Sequence, residues 1–443
     1  MTNTLNRFPI FIVVAVTLAL IGIFVFTSRS TLPAALRYPF LSALESRAKT
    51  RTGAYQQEMA FYLARIARNP NDGMDRAALA ALYLKRARVS GEANAYFLAE
   101  QSAERSLAAL PVFNSGALLV LAEVALAKHD FTKTQVYLKQ LKSFTPKSAA
   151  VLSLETSLAL ARGDLPRAKK SIEPLALGVP STGHLLLLGL LREALGLDAK
   201  ADYLAALQLE EADDPFGSAR VRTFLARWYL QHGQLQLAQD LLLEAGRIMP
   251  NDAQILVLLG ETFLQLGQLA AAEKIFKDVH ESNQVNLTVF NHAALRGLAR
   301  VARLRGQDNP VLWQQAKDSL RLELQNGAFG HARELAALLL EDGLKADLPD
   351  ALALAQAESV VRTDAQTLQV LAWAQVKSGR LAEARVSMLR ALRFGIKDAV
   401  MFYRMGQIEL ALGNVKAADK WFFQAKTINP RLNSLLSALG LEK

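Results

Sequence analysis

The sequence predicts an all-α protein: a superhelical α-solenoid of about ten helix–turn–helix repeats, preceded by one N-terminal transmembrane helix. Three observations carry this expectation. Residues 220–250 and the stretch after them align on each other at a constant offset of 34, with Leu225 on Leu259, Ala226 on Gly260, Tyr229 on Phe263, Gly233 on Gly267, Ala238 on Ala272 and Leu242 on Phe276. Helix-period patterning fills the chain, and no run of alternating apolar and polar residues is long enough for a strand. Between Arg7 and Arg29 there is no charge at all.

Composition agrees. At 443 residues, 51% hydrophobic and 21% charged, the chain is long for one ordinary core but normal for a solenoid, whose core grows by addition. The absence of Cys excludes a disulfide framework, a thiolate zinc site and a cysteine nucleophile. The net charge of +10 invites a nucleic-acid reading, but its distribution argues otherwise. Residues 1–70 hold Arg7, Arg29, Arg37, Arg47, Lys49, Arg51, Arg65 and Arg68 against only Glu45 and Glu58, so the basic excess sits beside the apolar segment. Such a stretch either attracts anionic lipid or is a solvated linker.

Taken in order, residues 1–7 form a short tail and 8–28 the expected transmembrane helix or signal anchor. The uncharged run, FPIFIVVAVTLALIGIFVFTS, reaches about 31 Å as a helix, enough to cross the hydrocarbon core. It is longer than a cleaved signal requires and no A-x-A site follows, so an uncleaved single-pass anchor is expected. A six-residue tail before Arg7 fits export of the bulk of the chain, which places the soluble part on the extracytoplasmic side. A positive-inside count of Arg29, Arg37 and the charges beyond them keeps the cytoplasmic side open. Residues 29–53 read as a basic juxtamembrane linker, broken at Pro33 and Pro39.

The solenoid is expected over 54–430. Its repeats fall at about 74–111, 113–146, 147–180, 183–215, 216–250, 251–284, 286–327, 328–363, 364–396 and 397–430, with a capping helix over 431–443. Small residues recur where paired helices approach: Ala226, Gly260, Ala372 and Gly406 in the first helix, Ala238, Ala272, Ala384 and Ala418 in the second. Leu225, Phe263, Phe276 and Phe422 fill the space between. Gly233, Gly267, Gly379 and Gly413 stand where a left-handed cap ends the first helix. The apolar run after His184 stops at Arg192, too short to span a membrane, and reads as a buried helix.

With this spacing and this set of small and large positions, the chain resembles the tetratricopeptide repeat superfamily over about residues 54–440. The likeness is strongest in the fifth, sixth, ninth and tenth copies. The Trp usual early in the first helix is absent throughout. The resemblance implies a right-handed superhelix whose first helices line a concave face that binds peptides or helices. On that face it places Arg220, Arg227, Arg296, Arg300, Arg303, Arg333, Trp373 and Tyr403. An arginine stripe there could accept carboxylates or phosphates bidentately; the same residues also read as solvated helix positions balanced by acids such as Glu261. The Lys/Asn carboxylate clamp of chaperone-binding members is not found, and the Cys-rich metal module of another anchored group is excluded by composition.

Chemistry is not expected. The six histidines, His129, His184, His232, His280, His292 and His331, lie in different repeats without ligand spacing, so each reads as a turn or surface residue. No G-x-S-x-G, Walker loop or H-E-x-x-H occurs. The expectation is therefore a non-enzymatic, membrane-anchored scaffold with no cofactor, no metal and no nucleic acid. It would bind protein partners in its groove, in assembly of an envelope or secretion complex. The alternative is an exported adaptor that holds an anionic polymer or lipid surface through the concave arginines.

Overall fold

Asp and Ser side chains start many of the helices. Asp72, Asp130, Ser148, Asp164, Ser181, Asp214, Asp252 and Asp398 each accept a hydrogen bond from the backbone N–H three residues on, satisfying a donor the helix itself leaves open. A computed structural model of the chain describes residues 32–40, 56–282, 288–327, 329–436 and 439. Every regular element in the described residues is helical; the one isolated β-bridge joins Glu92 and Thr288. The expected transmembrane helix over 8–28 lies outside the described residues, and no helix within them is long and apolar enough to cross a membrane.

A helical stretch over 56–68 leads in. Antiparallel pairs follow: α1 (Gly73–Ser90) with α2 (Ala93–Ala109), α3 (Ser115–Ala127) with α4 (Phe131–Phe144), α5 (Ala149–Arg162) with α6 (Leu165–Ala176), and α7 (Thr182–Ala194) with α8 (Lys200–Gln208). Next come α9 (Pro215–Gln231) with α10 (Leu235–Ile248), α11 (Ala253–Gln265) with α12 (Leu269–Ser282), and α13 (Asn291–Leu304) with α14 (Pro310–Gln325). The last are α15 (Ala332–Asp342) with α16 (Leu348–Val361), α17 (Ala365–Lys377) with α18 (Leu381–Leu392), and α19 (Ala399–Ala411) with α20 (Val415–Ile428). Each helix packs on its partner and on the next in line, and first helices also touch along the stack, α1 on α3 and α5 on α7 among them.

The small positions are where backbones approach. Ala226, Ala238, Ala272, Ala372, Ala384 and Ala418 are fully buried. The Phe276 ring lies over both Gly260 and Gly297, where an added Cβ would come within 2.7 and 2.4 Å of it. A side chain at either glycine would displace that ring from the core.

The stack also closes on itself. Val289 N–H donates to Gly91 O at 3.1 Å, Gly330 N–H to Lys128 O at 2.8 Å and Thr363 N–H to Arg162 O at 2.9 Å. Further along, Gly196 meets Gly395 backbone to backbone, and the Arg431 guanidinium donates to Leu266 O. The Thr363–Arg162 contact spans 201 residues, about six repeats of the 34-residue spacing. One superhelical turn is therefore six repeats, and the next turn lands on it along a continuous seam.

Two end segments dock on the middle. Of the stretch expected to be a linker, residues 32–40 are packed: Leu32, Leu36 and Tyr38 are buried in the largest core cluster, with Leu225, Leu241 and Leu242. The Tyr38 N–H donates to Glu244 Oε1 at 2.8 Å, and the wholly buried Arg222 donates through Nε to Leu36 O at 3.0 Å while its other nitrogens bind Glu210 and Ser218 O. The linker expectation is corrected here: Leu32, Leu36 and Tyr38 are apolar enough for burial to outweigh solvation of the intervening chain. At the other end, Leu432 and Leu435 of a single 3-10 turn are buried, Leu435 in that same cluster. Residues 437, 438 and 440–443 of the expected capping helix lie outside the described residues.

Candidate binding face

The first helices line an interior cavity. It has a volume of about 540 Å³, and α1, α3, α5, α7, α9 and α11 all contribute to its wall. Its lining mixes leucines, Leu154, Leu160, Leu186, Leu187 and Leu190, with the polar and aromatic residues Arg88, Tyr96, Glu123, Phe216, Arg220 and Asp252. Because a superhelical turn takes six repeats, these residues come from across the whole first turn.

Arg220 is the cation that this wall turns toward the cavity: protein closely surrounds it, but solvent reaches it through the cavity. Its guanidinium carbon stands 5.4 Å from the Phe216 ring centre and 5.7 Å from that of Phe224, and it forms no ion pair within 4 Å among the described residues. Its neighbour Arg88 is already engaged, 3.0 Å from Glu123. Burial, and then the like charge of Arg88, lower the Arg220 pKa. Asp252 is committed to capping α11, accepting from Ile255 N–H at 3.1 Å, and burial pushes its carboxyl up to about 6 against the pull of those amides and of Arg220. Burial likewise raises the Tyr96 phenol. The wall can thus receive a carboxylate or other compact anion on Arg220, beside the Phe216 and Phe224 rings and in a cavity also lined by leucines.

The other arginines of the expected stripe are occupied. Arg227 pairs with Glu193 and lies 4.7 Å over the Phe224 ring. Arg300 holds Glu261 at 2.6 Å and Glu341 at 2.9 Å, and Arg296 reaches the same Glu341 at 2.8 Å. Burial opposes ionisation of Glu341, yet Arg296 and Arg300 hold its carboxyl well below the usual range. Arg303 donates to Glu341 O at 2.8 Å and caps the Trp313 ring at 4.3 Å, while Arg333 bonds Glu334 at 2.8 Å. Trp373 is 4% exposed beneath Arg404, 3.6 Å away, and Tyr403 is half-buried against Phe422. The structure therefore separates Arg220 from the remainder, which tie neighbouring repeats together.

The histidines need a correction. His184 is buried rather than at the surface, and His129, His292 and His331, read as unrelated turn residues, converge: the His331 ring centre lies 5.4 Å from His129 and 5.2 Å from His292. Superhelical closure brings His129 to the others, and no local spacing encodes that. Asp252 was not singled out from the sequence: its place at the start of α11 carries the cap, and its position in the cavity wall comes only from stacking.

Residues 229–288 match the family model described as tetratricopeptide repeat. No curated protein matches the sequence. Among solved structures, the chain is similar to one described as the APC/C hetero-tetramer Cut9-Hcn1, at 15% identity and a TM-score of 0.43, over 96% of this chain and 81% of that one. It is also similar to yeast Tom70, at 15% identity and a TM-score of 0.35, over 90% of this chain and 95% of that one.

Proposed function

We propose that this chain, built on tetratricopeptide repeats, is a non-enzymatic, membrane-anchored scaffold that draws a segment of a partner protein into the cavity of its first superhelical turn. The observation that carries the reading is Arg220, exposed to that cavity beside Phe216 and Phe224 without an ion pair among the described residues. An acidic side chain or a terminal carboxylate would supply the missing partner, and the leucines of the lining would take adjacent apolar residues. The anchor is residues 8–28, with the repeats on the extracytoplasmic side, on the strength of the uncharged run and the short tail before it. Assembly of an envelope complex is a role that suits such an arrangement.

Binding of an anionic polymer has less support. A polymer needs a row of free cations, and Arg227, Arg296, Arg300, Arg303 and Arg333 already hold carboxylates. The test is a photo-activatable amino acid at Phe216 in the full chain in its native membrane. Cross-links to a discrete protein that vanish on adding Arg220→Glu support the reading. Cross-links that persist with Arg220→Glu, or none at all, overturn it.

A further inference from the structure

We propose that His292, Glu323 and His331 form a binding site for a divalent transition-metal ion of the zinc class, placed beside the seam between superhelical turns. His292 lies in the first turn of α13, Glu323 in the last turn of α14, and His331 stands immediately before α15. One ligand atom from each lies within 4.8 Å of the other two. In tetrahedral zinc sites with bonds of about 2.0–2.1 Å, ligand atoms stand about 3.4 Å apart, so modest side-chain rotations bring this set to coordinating distance.

The donor chemistry fits. Two imidazoles and one carboxylate leave a fourth position for water, a set that zinc accepts without any thiolate. The His292 Nδ1 is buried and has no hydrogen-bond partner among the described residues, an uncommon state for a polar atom and one that a metal bond would relieve. His331 is held in place: its ring stacks on Phe329 at 5.6 Å with the planes 10° apart, and its Nδ1 lies 2.6 Å from Glu323 Oε2. Without metal this His331–Glu323 hydrogen bond satisfies both groups; with metal, the same two side chains need only turn toward His292.

The surroundings give the site a purpose. His129, from the turn between α3 and α4, places its Nδ1 3.1 Å from Gly330 O, the carbonyl immediately before His331. Gly330 N–H is itself a seam bond, to Lys128 O at 2.8 Å. A metal held by His292, Glu323 and His331 would lock α13, α14 and α15 together and with them the residue that joins the second turn to the first.

The experiment uses the untagged full chain in detergent, stripped with a chelator and then titrated with Zn²⁺ against a chromophoric competitor, with Co²⁺ as a spectroscopic probe. The proposal expects one equivalent bound at micromolar affinity or tighter, visible Co²⁺ bands of a low-coordinate nitrogen and oxygen set, and a Zn²⁺-dependent rise in Tm. His292→Gln and Glu323→Gln should each weaken binding at least tenfold and abolish that rise, whereas His184→Gln should leave both unchanged. Circular dichroism confirms that the variants keep their helices. If His292→Gln does not fold, Glu323→Gln and the Co²⁺ spectrum of the parent chain decide. Absence of stoichiometric binding, a Co²⁺ spectrum of the hydrated ion, or affinity unchanged in the folded variants overturns it.

Discussion

Thr363 hydrogen-bonds twice to the carbonyl of Arg162, through its N–H at 2.9 Å and its Oγ1 at 3.2 Å, although 201 residues separate them. A solenoid is usually a chain of nearest-neighbour contacts. Here a second set of contacts, one superhelical turn apart, is laid over the first.

Gly163 tests this seam. It ends α5 with φ of +75°, and a Cβ on it would fall 2.6 Å from Asp364 N; Gly379 ends α17 with φ of +76° and has open space around it. Both lose the left-handed backbone on substitution, at roughly 1–2 kcal/mol. Gly163→Ala should cost about 1–3 kcal/mol more by overpacking the seam. Urea denaturation compares the two, and small-angle scattering should show expansion only for Gly163→Ala. Equal losses and equal radii would mean that the turns do not touch in solution.

Arg300 and Arg220 should part company in stability measurements. Arg300→Ala strands the carboxylate of Glu261 and leaves the fully buried Glu341 with Arg296 alone, a loss of about 3–5 kcal/mol. Arg220→Ala removes no ion pair and should change stability by about 0.5 kcal/mol or less. Parallel chemical denaturation of the two variants checks this; similar losses would contradict the pairing described.

Asp252 supplies a pH dependence. Its folded pKa, about 6, lies above its ordinary unfolded value, so its ionised form destabilises the fold. That penalty is fully present above pH 6 and is relieved as the pH falls through 6 toward about 3, where the carboxyl is largely protonated folded or unfolded. Asp252→Asn retains a capping oxygen for α11 and should be more stable than the parent by about 1–3 kcal/mol at pH 7.5. The advantage should shrink to about 0.5 kcal/mol near pH 4. Thermal melts at the two pH values decide, and an advantage independent of pH would refute the assignment.

Tyr38 should matter as much as a core residue of the repeats. It is 4% exposed, lies under Arg222 at 5.7 Å and joins its N–H to Glu244. Tyr38→Ala should cost about 3 kcal/mol, read from denaturation of the full chain. A variant as stable as the parent would show that residues 32–40 do not stay docked.

The packing was legible because its rules are local: Ala238 and Ala272 each meet a partner helix a few residues away in sequence, and the 34-residue offset repeats that meeting. The state of the arginines was only partly legible. Arg227 and its partner Glu193 stand 34 residues apart, the same register in adjacent repeats, so a search for opposite charges at that spacing would have found the pair. Arg300 reaches Glu341 from 41 residues away because α13 and α15 are both inner helices, a relation that exists only after stacking. The meeting of His129 with His331 depends on the superhelical pitch, which is set by small rotations summed over six repeats and is written in no single one.

The docking of Leu32, Leu36 and Tyr38 on α9 and α10 has a mechanical consequence. A tether applied at residue 32 would bypass the leading helices and pull on the middle of the stack. Tension there falls first on the buried Leu32, Leu36 and Tyr38 contacts and on the hydrogen bonds to Glu244 and Arg222, whereas a load on α1 falls on the leading helix pair.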